Sequence, residues 1–279
     1  MSERLMTIRM HIPQQLKRDR NVRIYLPPDY FTNVNRRYPV IYMQDGQNLF
    51  EPSPLSGFSW EVDKTLDRLF EMNPQKYAFI VVGIDSNTVG VKRLDEYCPW
   101  QCRIYETPED PWRYMLVGGE GDPYTLFVAQ TLKPIIDSEF RTLPERKHTL
   151  VAGSSMGGLI SLYMGLKYNN VFSKIGAFST DLVFAYDRMV EFINKLEVDN
   201  EVKVWLYVGG KEVSDPQRPE EALAFLSTNT KLCDVPQKKL GQENVTFVVD
   251  QDATHSEEYW RTYFEKFIKW PRVSNRHPL

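Results

Sequence analysis

The sequence predicts an α/β protein with a mostly parallel central sheet of about eight strands, flanked by helices. Short apolar runs rich in β-branched residues recur along the chain, and amphipathic helical patterns lie between them. Such runs are typical of strands buried on both faces of a parallel sheet, with helices as the covering layers. The length of 279 residues suits one large domain, so we expect residues 1–279 to form a single domain.

The predicted strands are runs of apolar or alternating residues. Leu5–Ile12 and Val22–Leu26 come first, and we expect them to pair antiparallel as a hairpin. The later runs are YPVIYM (38–43), YAFIVVGI (77–84), TLVAG (149–153), KIGAFS (174–179), VKVWLYVG (202–209) and VTFVVD (245–250). Parallel strands end at one edge of a sheet, so residues that follow these runs are candidates for a functional site.

Helical patterns cover 60–72, 123–140, 157–168 and 256–270. Ser59 is the predicted N-cap of the first, because its side-chain oxygen can accept a hydrogen bond from a free backbone N–H. Asp122 precedes the second, with Pro123 at the first helical position. Pro134 lacks an N–H group and predicts a kink in the second half of that helix.

The segment 85–122 is far longer than an ordinary connection and is rich in Pro, Trp and Gly. Long connections in compact domains are usually functional or mobile, so we expect this one to form a pocket wall or lid. Arg93 and Glu96 carry opposite charges within it, and a pair between them would pin the segment.

Composition excludes several classes of function. The formal net charge of −3 provides no basic field for nucleic acid, and no stretch approaches the ~20 apolar residues that a membrane span needs. Residues 1–15 lack the continuous apolar region of a signal peptide. The cysteines Cys98, Cys102 and Cys233 are odd in number, which favours reduced thiols and a cytoplasmic location. No His or Cys pair lies near Cys98 and Cys102, so we predict neither a metal site nor a cofactor.

One motif carries chemistry. Residues 153–157, Gly-Ser-Ser-Met-Gly, match G-x-S-x-G between a predicted strand and a predicted helix. The glycines allow the sharp turn that lifts a serine hydroxyl above the carboxyl end of the sheet. Ser155 holds the nucleophile position, whereas Ser154 holds the "x" position. The alternative is a tight glycine-rich turn with incidental hydroxyls, which the flanking strand and helix disfavour.

A serine nucleophile needs a base, and the chain has 4 histidines. His11 lies on the first strand, His148 begins the strand that leads to Ser155, and His277 lies in the polar tail. His255 follows the last predicted strand, at the sheet edge where Ser155 also emerges. We therefore predict that His255 is the base.

The imidazole in turn needs a carboxylate, and the loop after 202–209 supplies Glu212, with Asp215 in reserve. The chain order Ser, acid, His is that of α/β-hydrolases. An oxyanion hole needs two backbone N–H groups, which we assign to Met156 and Gln47. Asp45 lies next to this site, where a carboxylate would be unfavourable unless it faced away, for example toward backbone amides.

The chain resembles the esterase D-like family of α/β-hydrolases, which includes feruloyl esterases, siderophore esterases, formylglutathione hydrolase and the mycolyltransferases. The resemblance rests on YMQDGQNLF, VVGI, RLDEY, LKPIIDSEFRT, VAGSSMGGLISLYMGLKY, VFSKIGAFS, GGKE and DATHSEEYW, and spans about residues 21–270. It implies a serine hydrolase that uses Ser155, Glu212 and His255, with the Gln47 and Met156 amides as oxyanion donors. Many members of this family carry Asp where this chain has Glu212.

The leading hypothesis is a cofactor-free serine carboxylic ester hydrolase that forms an acyl-enzyme with a small acyl ester, such as an acylated sugar, a phenolic ester or a siderophore lactone. An acyltransferase of the same chemistry and an inactive binding protein on the same fold are the alternatives. The expected partner is a small-molecule ester, with no nucleic acid or membrane, and a homo-oligomer is left open. Besides Asp45, the predicted substrate-binding residues are Phe50, Tyr97, Trp100 and Trp112. Trp60 and Tyr124 lie in segments that should also approach the site. The alternative for all of these aromatic residues is that they pack in the core.

Overall fold

A computed structural model describes residues 3–12, 16–54, 56–105, 114–198, 201–213 and 219–271. The strands are β1 (Leu5–Ile12), β2 (Arg18–Tyr25), β3 (Val40–Gln44), β4 (Ile80–Ile84), β5 (Cys102–Tyr105), β6 (Tyr114–Val117), β7 (Thr149–Ser154), β8 (Lys174–Phe178), β9 (Lys203–Lys211) and β10 (Val245–Thr254). The helices are α1 (Val62–Met72), α2 (Pro74–Tyr77), α3 (Lys92–Tyr97), α4 (Gly121–Phe127), α5 (Lys133–Glu139), α6 (Met156–Lys167), α7 (Tyr186–Lys195), α8 (Pro219–Leu240) and α9 (Glu257–Lys269). None of the helices within these ranges has the length and hydropathy needed to cross a membrane.

The central sheet has 8 strands in the order β1-β2-β4-β3-β7-β8-β9-β10. The neighbours from β4 to β10 are parallel. The β1–β2 and β2–β4 pairs are antiparallel, which confirms the predicted hairpin. With helices on both faces, this is the α/β-hydrolase fold, as predicted.

Successive strands are added on opposite sides of β3. The chain passes from β3 to β4 on one side, and β7 later joins β3 on the other side. The loops that leave β3 and β7 therefore separate at the carboxyl edge, which is where ligands bind in open α/β sheets.

Alternation along β3 divides the core between the two faces of the sheet. Val40 and Tyr42 belong to the apolar cluster that α4–α8 cover. Ile41 and Met43 belong to a second cluster with α1 and α9. Because all four residues are fully or almost fully buried, β3 is held on both sides and provides a rigid base for the loop that follows it.

The predicted N-cap of the first helix and the predicted start of the second helix at Pro123 are both wrong. Helix α1 begins at Val62 with Glu61 at its N-cap, because the preceding chain is tied to the loop after β3: the Trp60 N–H donates to the Asn48 carbonyl oxygen. Ser59 therefore lies before the helix. Asp122 lies in the first turn of α4, whose N-cap is Glu120, and its carboxylate instead accepts hydrogen bonds from side chains of α6.

Other boundaries also differ from the predictions. The run 77–84 forms a strand only from Ile80, because Tyr77 ends the short helix α2. A π-helical turn at Val128–Leu132 divides the helix predicted over 123–140, and Pro134 lies in the first turn of α5 directly after it. The segment 85–122 is more regular than a loop, since it contains α3 and the antiparallel β5–β6 pair.

Candidate active site

Ser155 is the single residue between β7 and α6, with φ of 57° and ψ of −128°. Positive φ is unfavourable for a residue with a Cβ atom, so surrounding contacts must hold it. The Ser155 N–H donates to the Phe178 carbonyl oxygen at 2.9 Å. A Cβ atom on Gly153 would lie 2.5 Å from the carbonyl oxygen of Gly157, so the turn requires a glycine there. The result is a serine held at the N-terminus of α6.

The two neighbouring serines differ in exposure. Ser154 is the last residue of β7 and is only 6% exposed, whereas Ser155 is half-buried. Both line a cavity of about 630 Å³ that also receives the ring of His255. Ser155, the predicted nucleophile, is therefore the more exposed of the two serines.

The structure brings His255 and Glu212 together. His255 follows β10, and its Nδ1 lies 2.6 Å from Oε2 of Glu212, which follows β9. The Glu212 side chain is completely buried. A buried carboxylate on Nδ1 fixes the ring orientation and favours a proton on that nitrogen, which leaves Nε2 as the acceptor. Asp215, the reserve acid, lies outside the described residues.

A hydrogen-bond chain holds the Glu212 carboxylate from behind. Its Oε1 accepts hydrogen bonds from the Ser179 hydroxyl at 2.6 Å and from the Gly209 N–H at 2.5 Å. The Ser179 oxygen in turn accepts one from Trp260 Nε1 at 2.8 Å. Because both partners donate to Oε1, they fix the orientation of the carboxylate and leave Oε2 directed toward His255.

Two aromatic rings fix the plane of the His255 imidazole. Trp260 and Phe225 pack against it edge-to-face, with ring centroids at 4.9 Å and 5.5 Å. Among the hydrogen bonds of the described residues, none joins the ring to Ser155. Catalytic hydrogen bonds often form only when substrate binds, so the lack of this bond in the free protein is compatible with proton transfer.

The loop after β3, residues 45–48, lies beside the N-terminus of α6 and is called the oxyanion loop below. Gly46 packs so closely on β4 that a Cβ atom would lie 2.6 Å from the Gly83 carbonyl carbon. Within the described ranges, the N–H groups of Gln47 and Met156 donate to no backbone carbonyl. These are the two groups that the sequence predicts as oxyanion donors.

Asp45 lines the cavity, but its carboxylate binds a side chain rather than backbone amides. Arg93 donates from Nε and Nη2 to its two oxygens at 2.8 Å and 2.9 Å. The predicted pair of Arg93 with Glu96 is therefore wrong. Glu96 instead pairs with Arg20 and Arg18 at 2.6 Å each, because α3 places it against β2.

The aromatic residues predicted to bind substrate do not line this cavity. Tyr97 is fully buried against Tyr124, Phe50 stacks on Tyr25, and Trp100 packs on α6 and α7. Their segments do approach the site, but Tyr97 belongs to the apolar core, and Phe50 and Trp100 are partly buried against it. Trp60 and Tyr124 are buried as well, at 2% and 0% exposure. Trp112 lies outside the described residues.

Most of the side chains around the cavity are of polar types, but apolar atoms contribute the larger share of its surface, and Phe58 and Trp260 supply aromatic rings. The other lining residues beyond those already described are Asn48, Ser53, Pro54, Ser56, Ser86, Asn87, Thr88, Gly90, Thr254, Ser256, Glu257 and Glu258. The segment 86–93 thus supplies part of the wall, as its sequence predicts. Among the described residues no cluster of three or more His, Cys, Asp or Glu side chains could hold a metal ion.

Sequence reasoning missed Ser179, Trp260 and Asp181. Asp181 shortly follows β8, and its N–H donates to the Ser155 carbonyl oxygen at 3.2 Å. The pKa of Asp181 is raised because burial outweighs the opposing attraction of His255 and Arg93. The signal that could have revealed Ser179 and Asp181 was their position at the end of the run 174–179 and just after it, at the edge that carries the site.

Fold and site together define an esterase of the α/β-hydrolase class. The chain belongs to the family described as "Putative esterase", whose model matches residues 13–269, and it is a carboxylic ester hydrolase. The site residues described above all lie within that range.

Relatives agree with this assignment at the level of fold. The chain is 25% identical over 262 residues to the uncharacterized protein YbbA of Bacillus subtilis (strain 168), covering 94% of this chain and 96% of YbbA. It is similar in structure to the siderophore hydrolase EstA from Aspergillus nidulans, with a TM-score of 0.74, 17% identity and coverage of 95% and 94%. An IroE-like serine hydrolase from Shewanella oneidensis gives a TM-score of 0.72 with 22% identity, covering 95% of this chain and 79% of that one.

Proposed function

We propose that the protein is a serine esterase in which Ser155 attacks the ester carbonyl and His255 accepts its proton. The observation that carries the proposal is the 2.6 Å hydrogen bond between His255 and the buried Glu212, in the cavity wall that also exposes Ser155. A neutral imidazole oriented in this way can accept the proton at Nε2. Glu212 then stabilises the imidazolium that forms.

The N–H groups of Gln47 and Met156 are the proposed donors to the oxyanion of the tetrahedral intermediate. Their position at the starts of a short 3₁₀ turn and of α6 favours negative charge. When the intermediate collapses, His255 returns the proton to the leaving alcohol and an acyl-enzyme remains on Ser155. Water, deprotonated by His255, then releases the acid and regenerates the enzyme.

The substrate that we propose is a small ester that carries both polar groups and an apolar portion, because the cavity combines many polar side chains with a largely apolar surface that includes Phe58 and Trp260. Structural relatives include proteins described as siderophore hydrolases and a ferulic acid esterase. Acetylated sugars, siderophore lactones and methyl ferulate are therefore the first esters to assay, with an alcohol acceptor added to detect acyl transfer. A cytoplasmic location remains part of the proposal.

The nucleophile is tested by Ser155→Ala with Ser154→Ala as its matched control. Ser155→Ala should lower kcat by roughly 10⁴-fold or more, because a member of the catalytic set is lost. Ser154→Ala should change kcat less than about 10-fold, because its hydroxyl lies at the end of a buried strand. A fluorophosphonate should label the wild type and Ser154→Ala but not Ser155→Ala, as located by mass spectrometry. The reverse ranking would make Ser154 the nucleophile.

A further inference from the structure

The oxyanion loop is held at both ends by side chains of the segment 86–97. At one end, Arg93 binds both carboxylate oxygens of Asp45, and the Asp45 N–H donates to the Tyr97 hydroxyl at 3.1 Å. At the other end, Gln47 Nε2 donates to the Ser86 hydroxyl at 2.8 Å. The Ser86 N–H returns a hydrogen bond to Gln47 Oε1 at 3.0 Å. Five hydrogen bonds that involve side chains thus join this loop of four residues to the segment 86–97.

The Asp45 backbone needs such support. Its φ of 53° and ψ of 50° lie in the left-handed region, which Asp adopts more readily than most residues but less readily than Gly. This conformation turns the chain sharply at the end of β3, so that Gly46–Asn48 begin a 3₁₀ turn. The first N–H groups of such a turn have no partner within it, and the Gln47 N–H is one of them.

Arg93 also changes the charge next to the oxyanion donors. A Cβ atom on Gly157 would lie 3.0 Å from Asp45 Oδ2, so this carboxylate adjoins the first turn of α6. An unpaired carboxylate there would repel a developing oxyanion. Burial alone would lower the pKa of Arg93, but attraction by Asp45 outweighs it, and the pKa is raised. The guanidinium therefore stays charged and neutralises the Asp45 carboxylate. The Asp181 carboxylate also attracts this guanidinium.

The segment that supplies these contacts is itself anchored. Glu96, fully buried on α3, accepts hydrogen bonds from Arg20 at 2.6 Å and 2.7 Å and from Arg18 at 2.6 Å. Both arginines belong to β2 of the central sheet. Helix α3 therefore cannot move relative to the sheet without breaking a buried ion pair, which is strongly unfavourable.

We infer that Arg93 and Ser86 are positioning residues that hold the oxyanion loop ready for the tetrahedral intermediate. This inference rests on the proposed function, because it needs the Gln47 N–H to be an oxyanion donor. The alternative role for Arg93 is direct binding of substrate, because its side chain lies in the cavity wall and is 31% exposed. A positioning residue affects the transition state more than the bound substrate, so kcat and KM distinguish the two roles.

Arg93→Met is the principal test, with Lys92→Met as its matched control on the same helix. Lys92 also pairs with carboxylates, but outside the cavity, and exposed pairs of this kind contribute little. Arg93→Met should lower kcat about 100-fold and change KM less than about 3-fold. Its affinity for a boronic acid, whose tetrahedral adduct places an oxygen in the oxyanion hole, should fall in parallel with kcat/KM. Lys92→Met should stay within about 2-fold of wild type.

The opposite end of the loop gives an independent test. Gln47→Met removes both bonds with Ser86 but keeps the Gln47 backbone N–H, and Ser86→Ala removes one of them. We expect kcat to fall roughly 10-fold in Gln47→Met and about 5-fold in Ser86→Ala, again with little change in KM. Ser138→Ala removes an exposed hydroxyl that bonds only its own helix and should have no effect.

Circular dichroism decides whether each variant is folded. If Arg93→Met does not fold, Arg93→Lys keeps the charge but loses the two-point contact, and we expect its kcat to fall about 10-fold. A raised KM with an unchanged kcat in the Arg93 variants would make Arg93 a substrate-binding residue and overturn the inference. Wild-type kcat in both Arg93→Lys and Gln47→Met would overturn it as well. An active Ser155→Ala would instead refute the proposed function itself.

Discussion

The two sides of the candidate site are held in place by different means. On the side of β9 and β10, a fully buried carboxylate, Glu212, receives neutral donors on one oxygen and His255 on the other. On the side of β3, a left-handed backbone at Asp45 is held by an ion pair with a half-exposed arginine. The first arrangement orients a proton acceptor, whereas the second holds backbone amides. The difference is that His255 is held by a fully buried hydrogen-bond chain, whereas the loop 45–48 is held by an ion pair at the cavity surface.

The largest effect that this comparison predicts is that of Glu212→Gln. The donors on Oε1 would hold the amide oxygen of the new side chain, so its NH₂ group would face His255 Nδ1. That contact places the imidazole proton on Nε2, and the ring can no longer accept the Ser155 proton. We expect kcat to fall by about 10⁴-fold with an unchanged circular dichroism spectrum.

Asp252→Asn is the control, because Asp252 is an exposed carboxylate paired with Lys211. Its kcat should equal that of the wild type. Near-normal activity in Glu212→Gln would disprove the role of this carboxylate. The acid would then be Asp215, which Asp215→Asn would reveal, or Ser155 and His255 would work without one.

A smaller fall in kcat is expected when the residues that hold the Glu212 carboxylate, Ser179 and Trp260, are replaced. Ser179→Ala removes one of the two donors to Oε1 and leaves the Trp260 N–H without its acceptor. The loss of one hydrogen bond to a charged group corresponds to a fall in kcat of about 10-fold. Trp260→Phe keeps a ring against His255 and should lower kcat only about 2-fold. If Ser179→Ala were fully active, the Gly209 N–H alone would be sufficient to orient the carboxylate.

The positions of Ser155, Glu212 and His255 were easier to predict from sequence than the contacts of Arg93. The former depend on the order of the strands, and the latter depend on side-chain contacts. Ser155, Glu212 and His255 each follow a recognisable strand, and parallel strands end at one edge, so their proximity could be expected. Sequence gave no sign that Arg93 would choose Asp45 over Glu96, because that choice depends on how α3 is rotated against β2. The helix start at Val62 was missed for a similar reason, since tertiary hydrogen bonds to residues 48–49 override the capping preference of Ser59.

Aromatic residues were the least predictable part of the site. An aromatic side chain near a strand end can form a pocket wall or fill the core, and its local sequence is the same in both cases. Tyr97 and Trp100 lie within a few residues of Arg93 in sequence, yet Arg93 lines the cavity and neither ring does. The rotation of α3 and the path of the chain after it decide the outcome.

The smallest predicted effect concerns these rings. Trp100 packs edge-to-face on Tyr163 and Phe192 outside the cavity, so Trp100→Ala should lower the free energy of unfolding by about 2 kcal/mol and leave substrate preference unchanged. Phe58, 40% exposed and in the cavity wall, is the matched aromatic residue. Phe58→Ala should barely change stability but should alter the kcat/KM ratio between methyl ferulate and a short acyl ester by about 5-fold. Thermal denaturation and a two-substrate assay of both variants measure this contrast. A changed preference in Trp100→Ala, with Phe58→Ala unaffected, would place the acyl pocket on the α7 side of the molecule instead.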